Sequence, residues 1–209
     1  MLRFALLISC SLVLPPLLGG DGSALAQSIQ DPETEAEPQA REAPKPPTLR
    51  ELPLDGLFEK LAKASPNVAG KAVEAEILSR FSESGSDTID LLMRWAMQAI
   101  EEKNHAMALD IIDQVLVLKP DFAEAWNKRA TVNFLREDYA ASLSDIRQTL
   151  ALEPRHFGAL SGLGIILEET GKKEQALAVF RKTLAIDPLL EKVREAMERL
   201  EVETAGSSI

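Results

Sequence analysis

The sequence predicts an all-α solenoid, a fold in which similar pairs of helices stack one after another. Three consecutive segments of 34 residues share one pattern of apolar and polar positions. Within each segment the apolar residues recur at the three- and four-residue spacing of one helix face. A fixed period of this length indicates a single repeated supersecondary unit. The segments are 89–122, 123–156 and 157–190, and the prolines that close them are Pro120, Pro154 and Pro188.

The first element in the chain is a secretion signal, predicted over residues 1–26. Arg3 supplies the positive charge at its start, residues 4–14 are apolar, and small residues lead up to a cleavage site after Ala26. The apolar run is too short for a membrane span, and no later segment is a candidate. We therefore expect a periplasmic protein with no membrane span in the mature chain. A competing interpretation makes Cys10 the lipid-modified residue of an envelope or cell-wall assembly factor.

The second element, residues 27–47, is predicted to be a disordered linker. The segment is rich in Pro, Glu, Gln and Ala, and Ile29 is its one large apolar residue. Such a composition cannot bury enough apolar surface to offset the entropy of ordering the chain. Two interpretations stay open: a spacer that holds the domain away from a wall or membrane, and a tail without a function of its own.

The third element, residues 48–88, predicts a pair of helices that departs from the repeated pattern. Pro66 and its polar neighbours interrupt the pair between two amphipathic stretches. We expect the pair to cap the N-terminal end of the solenoid, whose apolar face would otherwise be exposed; a degenerate repeat is the alternative. The apolar positions are Leu54, Leu57, Phe58 and Leu61 on the first helix and Val73, Ile77, Leu78 and Phe81 on the second.

The middle repeat shows how each unit is built. Trp126, Ala130 and Phe134 are four residues apart and share one face of a first helix. Asp121 precedes that helix and Glu124 follows three residues later, a spacing that predicts a capping box. A short polar turn and a second amphipathic helix complete the unit.

The last element, residues 191–209, predicts a closing helix with a short tail. Val193, Met197 and Leu200 form a narrow apolar stripe, and charged residues fill most positions between them. A solenoid needs such a polar outer face at its end, because the last unit has no neighbour to cover it. We expect residues 204–209 to fray.

The repeated pattern resembles the tetratricopeptide repeat, and the resemblance covers residues 89–190, about half of the chain. Small residues at Ala96, Ala130 and Gly164 let the two helices of a unit approach closely. The resemblance implies three helix-turn-helix repeats between capping helices, and a scaffold that binds protein or peptide. A looser resemblance, to uncharacterised secreted repeat proteins of alphaproteobacteria, adds a compartment and no activity. In the third unit the matching residues are Leu163, Gly164, Gly171, Ala176, Leu177, Phe180, Leu184 and Pro188.

Charge and motif content argue against several function classes. A net charge of −10 disfavours nucleic acid, whose phosphates need Lys and Arg. The glycines near Gly164 belong to the repeat rather than to a nucleotide loop, and the sequence after Gly171 lacks the Ser or Thr of a phosphate loop. His105 and His156 have no companions at metal-ligand spacing. We therefore predict a non-enzymatic protein without a cofactor; an enzyme of unknown class is the alternative.

The resemblance also implies which positions line an inner groove, because the first helix of each repeat faces inward in this family. These positions give a largely apolar strip that suits an extended or helical peptide. Two alternatives are that Met97 and Phe134 complete the core of each helix pair, and that the groove or the end helices mediate self-association. The inward positions lack the basic residues of a carboxylate clamp, apart from a partial match at Asn127 and Lys128. The predicted groove residues are Met93, Met97, Ile100, Asn127, Lys128, Thr131, Phe134, Ser161 and Ile165.

Overall fold

The computed structural model describes residues 46–206, and all of the regular structure in that range is helical. The predicted secretion signal, most of the predicted linker and residues 207–209 lie outside it. A 3₁₀ turn at Leu49–Glu51 precedes the first α-helix. The α-helices are α1 Leu54–Leu61, α2 Val68–Ser82, α3 Asp87–Glu101, α4 His105–Leu118, α5 Ala123–Leu135, α6 Tyr139–Leu152, α7 Phe157–Glu169, α8 Lys173–Ile186 and α9 Glu191–Gly206.

Helices α3 to α8 form three hairpins, joined within each hairpin by the same turn. The turn residue is in the left-handed region in all three: φ is 58° at Lys103, 62° at Glu137 and 76° at Gly171. Only glycine adopts this conformation without a steric cost. The side chains of Asn104 and Asp138 then accept a hydrogen bond from the start of the second helix, and so cap it. The first two turns therefore combine a strained residue with a capping side chain.

Close packing inside the hairpins explains the small residues of the repeated pattern. A Cβ atom placed on Gly164 would overlap the ring of Phe180, which is fully buried. Each hairpin packs on the next, through α4 with α5 and α6 with α7, and α9 packs on α8. The buried faces of α8 and α9 share one apolar cluster that includes Val193 and Leu200. These contacts confirm the predicted all-α solenoid.

The pair formed by α1 and α2 lies elsewhere than expected. Its apolar face packs against Phe157, Leu189 and Leu190, at the far end of the solenoid, and the close backbone approach of α2 is to α5. In the second hairpin, Arg129 reaches back to Asp113 of the preceding hairpin. The equivalent position in the first hairpin is Trp95, which stays 50% exposed. The pair therefore packs on the start of α7 and on the connection between α8 and α9, and Trp95 stays half exposed.

The helices are also too short or too polar for a bilayer. Within residues 46–206, none combines the length and the apolar character that a membrane crossing would need.

Candidate functional site

The predicted groove residues lie on the inner face, defined here as the surface of α3, α5 and α7 that carries them. The structure does not join them into one strip. Met93, Met97 and Lys128 border a pocket of about 470 Å³ between α2, α3 and α5, here called the α3 pocket. Five others border a separate pocket of about 220 Å³, here called the α5–α7 pocket. These five are Asn127, Thr131, Phe134, Ser161 and Ile165.

Two predicted residues belong mainly to the core. Met93 is only 7% exposed and packs inside the first hairpin. Ile100 packs against the same apolar cluster and borders neither of these two pockets. Ile100 is therefore a core residue, whereas Met93 is largely buried and still borders the α3 pocket. Met97, the α3 residue that the core interpretation concerns, is only partly buried and also borders the α3 pocket.

The α5–α7 pocket has an apolar floor, an uncharged polar rim and no charged residue in its lining. It exists because α7 has glycine at two positions one turn apart, Gly158 and Gly162. A Cβ atom on Gly162 would meet Ile146 alone, at 3.6 Å, so the space above it is open. Ile165 is 38% exposed at the rim. The floor also includes Ala130, Ala159 and Ile166.

Phe134 closes one side of this pocket and is only partly free. Its ring stacks on Tyr139 with the two centroids 5.7 Å apart, and it packs against the core of the second hairpin. Thr131 is exposed one turn earlier on α5. The side chain of Phe134 is therefore held in place by the hairpin and still presents a surface to the pocket.

The two polar residues that partly match a carboxylate clamp are already engaged by Glu124. The Lys128 Nζ atom lies 2.9 Å from Glu124 Oε1, and Asn127 donates to Glu124 Oε2 at 3.0 Å. The helix N-cap is Phe122, which makes no side-chain capping bond, so the predicted capping box of Asp121 and Glu124 is wrong. Glu124 instead turns inward, where it is 8% exposed.

His156 completes this buried network, a role that sequence reasoning missed. The Nδ1 atom of His156 accepts a hydrogen bond from the Ala159 N–H at 3.2 Å, so a neutral ring carries its proton on Nε2. Nε2 then donates to Glu124 Oε2 at 2.9 Å. Burial alone would raise the pKa of Glu124, but the hydrogen bond from His156 and the charge of Lys128 hold it below its usual value. The available signal was the position of His156 directly before a helix, where capping residues occur.

Phe81 of α2 covers the same histidine. Its ring stacks on His156 with the centroids 4.5 Å apart, and it also lies 5.9 Å from the ring of Phe157. The adjacent residue, Arg155, places its guanidinium 4.2 Å above the ring of Phe58 and pairs with Asp55 at 2.7 Å. The α1–α2 pair therefore meets the start of α7 through stacked rings and one exposed ion pair.

A further polar cluster links the first and second hairpins. Arg129 donates to both oxygens of Asp145 and to Asp113, and Asn133 donates to Asp145. These bonds satisfy the buried carboxylate of Asp145. Across the described part of the chain, no three His, Cys, Asp or Glu side chains are placed to hold a metal ion. The arrangement supports packing and recognition by shape and charge.

Comparison with known proteins agrees with this architecture. A family model described as Tetratricopeptide repeat matches residues 136–190. A TPR repeat-containing protein of Rhizobium etli is 43% identical over 154 residues, which cover 74% of this chain and 76% of that protein. This relative comes from an alphaproteobacterium and confirms the resemblance drawn from the sequence.

Solved structures show the same fold at low identity. The first TPR domain of Spaghetti (RPAP3), bound to the HSP90 peptide SRMEEVD, is 18% identical with a TM-score of 0.54; the match covers 56% of this chain and 95% of that one. The Sgt2 TPR domain from Aspergillus fumigatus is 16% identical with a TM-score of 0.53, over 59% of this chain and 83% of that one. At these identities the likeness concerns the helical fold.

Proposed function

The chain belongs to the tetratricopeptide repeat family, and from that premise we propose that it is a periplasmic scaffold that binds a segment of another protein on its inner face. The family fold is generally a protein–protein interaction module, and its members are generally not enzymes. The periplasmic location is supported by the leader pattern over residues 1–26. The binding role is supported by the inner face.

The single observation that carries this proposal is the uncharged α5–α7 pocket. Charged residues make up 27% of the chain, yet none lines this pocket. Its volume of about 220 Å³ is smaller than the roughly 300–1,000 Å³ of pockets that enclose drug-sized ligands. The pocket therefore suits one apolar side chain of a protein partner, while the hydroxyl oxygens of Thr131 and Ser161 at the rim can accept hydrogen bonds from that partner's backbone.

The partner differs from an acidic peptide end of the kind named in the RPAP3 structure. Lys128 and Asn127 are the candidate ligands for a carboxylate, and both are held by Glu124. A carboxylate brought to this place would meet the negative charge of Glu124 at close range. We therefore propose that the bound segment is apolar, and that it inserts its anchor between α5 and α7.

Ile165→Glu tests the pocket, because it puts a charge at the rim without touching the core. Burial of one apolar side chain is worth about 1.5–3 kcal/mol, so we expect roughly a ten- to hundredfold weaker Kd for the partner. The partner is first captured by cross-linking in the osmotic-shock fraction of a bacterium that makes the full chain. Its affinity for parent and variant is then measured by calorimetry.

Val117→Glu is the matched control, since Val117 is 83% exposed on α4 and lines neither pocket of the inner face. It should leave the Kd unchanged. If both variants weaken partner binding equally, or if neither variant weakens it, the interaction lies outside the α5–α7 pocket. The mass of the chain recovered from the same fraction checks the location, because cleavage after Ala26 leaves Gln27 as the first residue.

A further inference from the structure

Helix α2 crosses the inner face in the way that a bound helix would. At its start, Gly70 lies against Leu189, in the connection between α8 and α9. Near its end, Phe81 stacks on His156 at the start of α7. The last residues, Ser82 and those beside it, border the α3 pocket. The helix therefore runs from the last hairpin to the first, across the repeats rather than in series with them.

The surface under α1 and α2, here called the covered surface, extends beyond the inner face to α8 and the α8–α9 connection, and it is chemically distinct from the α5–α7 pocket. Rings and aliphatic side chains of the pair pack on it, with Arg155 placed over Phe58. Such a surface recognises an amphipathic helix that carries aromatic residues. The covered surface consists of Arg155, His156, Phe157, Ile186, Leu189 and Leu190.

Two further observations separate α1 and α2 from an ordinary repeat. Trp95, at the position where a preceding repeat would pack, is half exposed. At the other end, Asp187 lies fully buried beside the covered surface, and its Oδ2 atom has no hydrogen-bond partner among the described residues. A buried acceptor without a partner costs free energy, so this contact is less complete than the hairpin cores.

We propose that the covered surface is a helix-binding site and that α1 and α2 are its resident ligand. An amphipathic helix of a partner protein exchanges with α1 and α2. That helix carries an aromatic residue at the place of Phe81. Exchange with a partner helix rests on the proposed function, whereas the role of α1 and α2 as resident ligand does not. The apolar side chain that the same partner inserts into the α5–α7 pocket can enter it directly, because α2 does not line that pocket. The partner's helix reaches the covered surface only when α2 leaves it.

The test supplies the resident ligand from outside. A fluorescein-labelled peptide that copies residues 48–84 is added to three full-length chains, and its binding is followed by fluorescence anisotropy. The chains are the parent, Phe81→Asp, and Leu78→Asp as the matched control on the solvent side of the same helix, where Leu78 is 43% exposed. Phe81→Asp should free the site, so the peptide should bind that chain at least tenfold more tightly than the other two.

Hydrogen exchange shows whether the helix has left. Amides at the start of α7 should lose protection in Phe81→Asp and keep it in Leu78→Asp. Phe58→Asp, in α1, should repeat the effect of Phe81→Asp. A peptide that itself carries Phe81→Asp should not bind.

Three results would overturn the proposal. One is equal peptide affinity for all three chains. Another is a Phe81→Asp chain whose α7 amides lose protection but which does not bind the peptide. The third is loss of the whole helical fold in both Phe81→Asp and Phe58→Asp, which would make α1 and α2 an integral part of the solenoid. In each case the function proposed above keeps its own test, because Ile165→Glu alters the open pocket and leaves the covered surface intact.

Discussion

Phe157 and Gly158 are neighbours in the chain and belong to two different surfaces. Phe157 is 3% exposed beneath α1 and α2, whereas Gly158 borders the open α5–α7 pocket. The same helix thus gives one surface that the protein fills itself and one that it leaves free. The covered surface holds rings and one partner of an ion pair, with the buried carboxylate of Asp187 beside it; the open pocket has no charged residue in its lining. The difference teaches that side-chain size and charge, rather than the repeated backbone, decide which part of the inner face is available.

The largest expected effect concerns the carboxylate beside the covered surface. Asp187 Oδ1 accepts a hydrogen bond from the Leu189 N–H at 2.9 Å, while Oδ2 has no such partner. Burial, with a smaller contribution from Glu74, raises the pKa of Asp187 from its usual 3.8 to about 6. The folded chain then binds this proton more tightly than the unfolded chain, so stability falls as the pH rises from about 4 to about 6. The shift corresponds to about 3 kcal/mol.

Asp187→Asn removes this titration and keeps the shape of the side chain. We expect the unfolding free energy of the parent, relative to the variant, to drop by up to about 3 kcal/mol between pH 4 and pH 7. Urea unfolding at several pH values measures it. The other carboxylates titrate in both proteins, so their contributions cancel. A difference that stays constant with pH would show that Asp187 is solvated or paired in solution.

A smaller effect compares the two sides of α7. Gly164→Ala places a methyl group into the ring of Phe180, and such overpacking costs about 1–3 kcal/mol. Gly162→Ala places the same group over the open pocket, where the better helix propensity of alanine gains about 0.5–1 kcal/mol. Thermal unfolding followed by circular dichroism should therefore move in opposite directions for the two variants. A stable Gly164→Ala chain would contradict the close packing of α7 on α8.

The smallest effect concerns the ion pair at the edge of the covered surface. The side chain of Asp55 is 81% exposed, and an exposed pair of this kind contributes at most about 1 kcal/mol. Asp55→Asn should therefore leave the exchange of α7 amides almost unchanged, in contrast with Phe81→Asp. If Asp55→Asn frees α7 as fully as Phe81→Asp does, the ion pair rather than the stacked rings holds α1 and α2 in place.

The sequence predicts the helices of the solenoid well, because their signals are local. Apolar spacing shows the buried side of each helix, and Gly164 stands where its partner helix comes close. The place of α1 and α2 could not be predicted, because an amphipathic pattern shows that a helix packs and not what it packs on. For the same reason Phe81 gave no sign of its contact with His156.

The candidate site was predicted only in part. Thr131, Ser161 and Ile165 do reach one pocket, since each is on the inner side of its helix. Glu124 matched a local capping motif, but its hydrogen bond to His156 joins residues 32 positions apart. A polar pair of that separation leaves no trace in local spacing. Its carboxylate turns inward instead, toward Lys128 and the hydrogen bond from His156.

The ion pair between Asp55 and Arg155 joins residues 100 positions apart in the chain. A repeat protein in which each unit touches only its neighbours can unfold from either end, one unit at a time. The crossing of α2 ties the segment before the first hairpin to the last hairpin, so unfolding from the C-terminal end also breaks contacts made by α1 and α2. Such long-range closure slows folding, because the chain must form a large loop before these contacts exist. It also couples the unfolding of the two ends for as long as α2 stays bound.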